Sequence, residues 1–160
     1  ITSSRILRDK QKDDIRINFV TKKNIPMQYI TQVMVSSGYV NVSCPELTAF
    51  DLIIYEKKVG GINRIATVLS ELAENINFEK ISEEFLKILN VAVIQRLGYL
   101  LDLLEFSELA NSLFEKSKLA EIKFRKYPLS VLPKKRNYVD FQINDKWKLI
   151  INEEIEIDDL

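Results

Sequence analysis

The feature that most constrains this chain is a change of hydrophobic period that occurs twice. Between Ile62 and Phe114 apolar residues recur every three or four positions, whereas on both flanks they recur every second one. A period near 3.6 lines up one face of a helix and a period of two lines up one face of a strand, so the order is strands, helices, strands. In the centre, Ile62, Ile65, Leu69, Leu72 and Ile76 share one helical face. Asn77 is placed to cap a helix carrying Ile81, Phe85 and Ile88; Ile94, Leu97, Leu101 and Leu104 mark another, and Leu109, Leu113 and Phe114 a further one. Ahead of them, Ser43-Cys44-Pro45-Glu46 has capping-box spacing, with the Ser43 hydroxyl accepting from the Glu46 N–H, and opens a helix to about Tyr55.

The flanks read as strands. Arg16 to Thr21, Ile30 to Val35 and Tyr39 to Val42 alternate, the last two joined across Ser36-Ser37-Gly38. Near the other end, Val139, Phe141 and Ile143 precede a turn at Asn144-Asp145, and Trp147, Leu149 and Ile151 follow it. The expected fold is α+β: a small antiparallel sheet from the N- and C-terminal strands, packed against a central run of about five helices. At 160 residues, 46% of them apolar, the chain fits one domain. It begins at Ile1 with a segment that reads as the end of a strand and its turn, so a further N-terminal portion is expected ahead of it.

Composition narrows the chemistry. The sequence holds one cysteine, Cys44, and no histidine, which removes disulfide frameworks, multi-cysteine zinc sites and the histidine-dependent triads. No metal, cofactor or catalytic residue is assigned. There is no apolar run of 18 residues to span a bilayer, so no membrane association is expected and the cytoplasm is the expected compartment.

Charge is balanced at 23 basic against 23 acidic residues, yet it is segregated by sign. Residues 1–23 carry seven basic and three acidic side chains, 46–111 six and eleven, 118–148 nine and three, and the last ten residues five acidic and none basic.

Five features invite a functional reading. Gly60-Gly61 sits before a helix, as phosphate loops do, but lacks the Lys-Ser/Thr of a Walker loop and the third glycine of a dinucleotide fingerprint; a corner between helices is the preferred reading. Glu121-Ile122-Lys123 has the Glu-x-Lys spacing of a Mg²⁺-dependent nuclease strand, with Asp102 as an upstream carboxylate, although Asp102 falls in a helical segment. Asp51 and Arg96 are charges embedded in apolar helices, either paired with each other to fix register or reserved for a partner. Lys22, Lys23, Lys134, Lys135 and Arg136 lie outside the apolar periodic segments, where solvation and contact with a DNA backbone are both open. Trp147 shares its periodicity with Leu149 and Ile151 and reads as a core or sheet anchor.

Taken in order, "VSCPELTAFDLI", "GGINRIATVLSELAE", "QRLGYLLDLL" and "WKLIINEEIEIDDL" resemble the AbiEi family, bacterial antitoxins of type IV toxin-antitoxin systems that act in abortive infection. The likeness runs from about Arg16 to the end, with Gln95 to Leu101 carrying the Gln-Arg-Leu-Gly-Tyr-Leu-Leu block. The resemblance implies a non-catalytic C-terminal antitoxin domain that counteracts a nucleotidyltransferase-like toxin. It also implies a preceding winged-helix domain that reads promoter DNA and represses the operon. No winged-helix segment is present here, so repression by this chain alone is not implied. By the same likeness Gly60-Gly61 is a corner between two helices. A Mg²⁺-dependent nuclease and a general protein-interaction module of a transcriptional regulator are the alternatives.

Overall fold

The computed structural model describes residues 2–3, 5–131 and 141–156. The chain divides into two compact units, Ile1–Val42 and Ser43–Leu160. The class is α+β, as the change of period dictates.

The first unit contains short strands. β1 (Thr2–Ser3) pairs in parallel with β4 (Val20–Thr21), and β2 (Lys10–Lys12) pairs antiparallel with β3 (Ile15–Ile17), turning at Asp13 with φ 52°. The single strand expected over Arg16 to Thr21 is thus broken at Asn18-Phe19. There the Phe19 N–H donates to Asp9 Oδ1 (2.9 Å) instead of joining a ladder. β5 (Ile30–Val35) and β6 (Gly38–Ser43) form the expected hairpin across Ser36-Ser37, and Gly38 supplies a φ of +124° at its exit.

Among the described residues the second unit holds six α-helices: α1 (Pro45–Ile54), α2 (Glu56–Val59), α3 (Ile62–Leu72), α4 (Glu83–Ile88), α5 (Val91–Leu103) and α6 (Ser107–Leu119). The sixth, beyond the five that periodicity marks, is the single turn α2, too short to show a period. Gly60 (φ 102°) ends α2 in the left-handed region, and Gly61 (φ 92°, ψ −179°) starts α3 from a conformation essentially restricted to glycine. The pair is a helix-to-helix corner. Asn77 caps only a 3₁₀ turn, accepting from Glu79 N–H, and Ser82 caps α4 itself, which leaves Ile88 exposed.

The capping at α1 also differs from expectation. Cys44 is the N-cap, its Sγ accepting from Leu47 N–H at 3.5 Å, while Ser43 Oγ lies 2.6 Å from Thr48 Oγ1. Glu46 does not reach back to Ser43. It turns inward and accepts the Asn77 N–H at 2.8 Å, tying α1 to the chain after α3.

Its described residues also form a sheet of β7 (Tyr127–Pro128), β8 (Ile143–Asn144) and β9 (Leu149–Ile150), in the order β7-β9-β8. β7 is parallel to β9, and β8 is antiparallel to it. Among the described residues the N- and C-terminal strands therefore occupy separate sheets rather than one, because both edges of β9 are taken by neighbours from its own end of the chain. The expected C-terminal hairpin exists as β8–β9, with Ile143 opposite Ile150, but its loop is longer and includes Trp147. Val139 lies outside the described residues.

The core runs through α5. Phe50 and Ile53 of α1, Ile65 and Leu69 of α3, and Leu113 of α6 are fully or almost fully buried. From Ala92 to Leu101 every residue of α5 except Tyr99 is buried, the pattern of a central helix rather than an amphipathic surface one.

Candidate functional site: the α5 face that holds the C-terminal segment

A helix this deeply buried must satisfy the polar side chains it carries, and on α5 these include Gln95, Arg96 and Asp102. Gln95, Gly98 and Asp102 fall at spacings of three and four, hence on one face. That face receives Arg125 and the Lys146-Trp147 pair. Gln95 Nε2 donates to the carbonyl of Arg125 at 2.7 Å and also to that of Trp147. The neighbouring Arg96 donates Nε and Nη2 to Pro128 O at 3.0 and 2.9 Å. One helical turn on, Gly98 has no side chain because the benzo ring of Trp147 lies against it; an added Cβ would fall well inside 3.0 Å of that ring. A further turn along, Asp102 Oδ2 accepts the indole N–H of Trp147 at 2.6 Å and sits 2.7 Å from Lys146 Nζ. Lys146 also donates to Asn111 Oδ1 on α6.

Trp147 is fully buried, with its ring centroid 5.3 Å from Phe114 and 5.6 Å from Phe124. It anchors the core as periodicity indicates, but not from a strand shared with Leu149 and Ile151. Its N–H is fixed to Asn144 Oδ1, and the following Lys148 takes φ 53°, which turns the indole onto α5.

A second buried polar contact lies two residues beyond β7, at Ser130. Asn152 accepts the Ser130 N–H at 2.9 Å and donates to Ser130 O at 3.0 Å, while Ser130 Oγ donates to Glu56 Oε1 at 2.8 Å. Together these groups tie residues 125–130 and 144–152 to α2 and α5.

Two titrating groups at the start of α1 are perturbed. Burial opposes the charge on Glu46, but the Cys44 thiol, the Asn77 N–H, its own N–H and Lys80 at 3.9 Å outweigh it and hold the carboxyl below its ordinary pKa. Burial pushes the Cys44 thiol up, with the Glu46 carboxylate adding to it, so Cys44 is a poor nucleophile at neutral pH.

The residues singled out in the sequence are distributed as follows. Asp51 is half-buried on α1, where its charge helps burial to raise the pKa of Tyr55 one turn later. Arg96 is buried and holds Pro128. Lys22 and Lys23 follow β4; the Lys22 N–H donates to Ser3 O, and the Lys23 side chain is exposed. Lys134, Lys135 and Arg136 lie outside the described residues. The Glu-x-Lys triplet is not on a strand. Glu121 (φ 57°) closes α6 as a left-handed cap, with Glu121 N–H donating to Lys118 O and Ile122 N–H to Ser117 O. Asp102 is engaged by Lys146 and Trp147, and among the described residues no group of three or more acidic or cysteine side chains is placed to hold a metal.

Sequence reasoning did not find Glu56, Ser130 and Asn152, which are buried and polar but separated by up to 96 positions. For Gln95 and Asp102 a signal did exist: polar residues within an apolar helical run need partners.

No helix among the described residues is long and apolar enough to cross a membrane. Neither a curated protein nor a solved structure matches the chain. A family model does, that of the AbiEi antitoxin C-terminal domain, over residues 8–103. The matched span closes at the end of α5, one residue past the Asp102 that holds Trp147. The face of Gln95, Gly98 and Asp102 thus lies inside it, and the residues it holds, Arg125 and Trp147, lie outside it. With more than half of its length matched, the chain belongs to the AbiEi antitoxin C-terminal domain family.

Proposed function

We propose that this chain is a non-catalytic antitoxin domain that counteracts a cognate nucleotidyltransferase-like toxin of a type IV system in the bacterial cytoplasm. The observation that carries the reading is the family match over residues 8–103, and the internal bonding of the buried Gln95 and Arg96 and of the half-buried Asp102 supports it. The polar residues of the signature helix are spent on holding the fold, not exposed as a reaction centre. Antagonism then rests on the surface of the domain.

Lys22, Lys23, Lys134, Lys135 and Arg136 supply auxiliary, sequence-independent contacts to the DNA backbone that support operon repression by a winged-helix reader. The charge segregation of residues 1–23 and 118–148 supports that part of the reading. Co-expression with the nucleotidyltransferase-like toxin encoded beside it tests the antitoxin role. Restored growth is the expected result, and continued growth arrest with well-expressed chain overturns it. For the DNA contacts, neutralising Lys134, Lys135 and Arg136 should lower the salt dependence of duplex binding by up to about three phosphate equivalents, with rescue retained. An unchanged slope with rescue abolished would assign those cations to a protein partner instead.

A further inference from the structure

In the C-terminal unit, α6, the segment after it and the β8–β9 loop enclose a cleft of about 310 Å³. Its floor is apolar, made by the partly exposed Phe114, Ile122 and Phe124. Its rim carries three cations, Lys118, Lys146 and Lys148, against one carboxylate, Asp145. Lys146 is committed to Asp102 and Asn111. The other two are lightly held: Lys118 pairs with Glu115 and Lys148 with Asp145, in each case between exposed side chains. Surface pairs of this kind contribute little and are readily exchanged. Two cations above an aromatic floor therefore remain available to a ligand that combines carboxylates with aliphatic groups. Lys118 Nζ lies only 4.6 Å from the Phe114 ring centroid, so both kinds of contact are within reach of one short segment.

The chain itself contains such a segment. Its last eight residues, Glu153-Glu154-Ile155-Glu156-Ile157-Asp158-Asp159-Leu160, interleave five carboxylates with three aliphatic side chains. This tail leaves the body at Asn152, which is fixed to Ser130. Its described part, residues 153–156, neither lines the cleft nor forms an ion pair with Lys118, Lys146 or Lys148. Net charge of zero removes the overall repulsion that keeps charged proteins apart, while sign segregation supplies local attraction.

We propose that the acidic C-terminal tail of a second copy of this chain docks in the Lys118–Lys148 cleft, and that two chains exchange tails reciprocally. Each tail then meets the other's cleft under one two-fold axis, which closes the assembly at a dimer. The proposal does not depend on the antitoxin reading.

Sedimentation velocity of the full chain over a concentration series tests it, using two variants. K118E/K148E reverses the rim and leaves Lys146 in place; E153Q/E154Q/E156Q/D158N/D159N neutralises the tail. Trp147 fluorescence identical to that of the wild type establishes that both variants keep the cleft folded. The wild type should dimerise at about 30 mM salt and do so at least about tenfold more weakly at about 300 mM, where screening is short-ranged. Each variant alone should stay monomeric across that range. An equimolar mixture of the two should recover a mixed dimer, because one chain keeps an intact tail and the other an intact rim. The mixed dimer keeps one of the two exchanged contacts and should be weaker than that of the wild type. A wild type that is monomeric throughout, a dimer that survives either set of substitutions, or a mixture that associates no more than either variant alone at the highest concentration of the series would each overturn the proposal.

Discussion

Gly98→Ala isolates the contact on which the α5 face depends. In an exposed helix interior this change is favourable by about 1 kcal/mol, since alanine costs less backbone entropy than glycine. Here the new Cβ would fall inside the benzo ring of Trp147, well under the 3.0 Å below which something must shift. The obstacle is a rigid ring held by Asp102 and two phenylalanines, on a residue whose backbone carbonyl is held by Gln95, not the end of a flexible chain. If the ring shifts slightly the cost is that of overpacking, about 1–3 kcal/mol. If it is expelled the cost approaches that of losing a buried tryptophan, about 3–5 kcal/mol, less the gain in propensity. The net expectation is destabilisation by about 1–4 kcal/mol. Trp147 is the only tryptophan, so urea unfolding followed by its fluorescence reports this unit directly. The sign should reverse in a Trp147→Ala background, where Gly98→Ala should stabilise by up to about 1 kcal/mol, measured by far-ultraviolet circular dichroism. Stabilisation by Gly98→Ala with Trp147 present would refute the reasoning.

Gly61→Ala should cost about 1–3 kcal/mol from backbone strain alone, since nothing lies within 4 Å of the added Cβ, and Gly60→Ala about 1–2 kcal/mol; thermal unfolding measures both. Saturable nucleotide binding abolished by Gly61→Ala would contradict the corner. Because the folded-state pKa of Glu46 is depressed, its contribution to stability is present above the unfolded value and is lost as pH falls through the ordinary glutamate range, about 4.3, and below. The Glu46→Gln variant should therefore show a flatter stability profile in that acid window, measured by urea unfolding at several pH values. Cys44 should react with iodoacetamide at pH 8 more slowly than free cysteine, a rate read by mass spectrometry. Purified chain should not cleave DNA or RNA with Mg²⁺ or Mn²⁺; cleavage stopped by Glu121→Ala with Lys123→Ala would reinstate the nuclease.

Legibility followed the range of the interactions. The helical faces at Ile62, Ile65 and Leu69 and at Ile94, Leu97 and Leu101 were readable because periodicity is local, and so was the corner at Gly60-Gly61, because positive φ is a property of single residues. The capping box was misread for a physical reason. Ser43 and Glu46 are spaced for reciprocal bonds, yet Glu46 finds a better-placed donor 31 residues away, at Asn77. Ile88 fits its helical pattern but remains exposed, since nothing packs over the end of the six-residue α4.

The sequence by itself determined the α+β class, the Gly60-Gly61 corner between helices and, through the ordered blocks between Val42 and Leu103, the family. Those properties depend on backbone propensity and on spacings within one or two turns. Tertiary structure alone decided what the signature residues do. Gln95, Arg96, Gly98 and Asp102 are a polar interruption in an apolar helix until Arg125, Pro128 and Trp147 arrive as their partners. A buried donor must find an acceptor wherever the chain brings one, and which carbonyl that is depends on closing loops of about thirty to fifty residues, information that no local spacing contains.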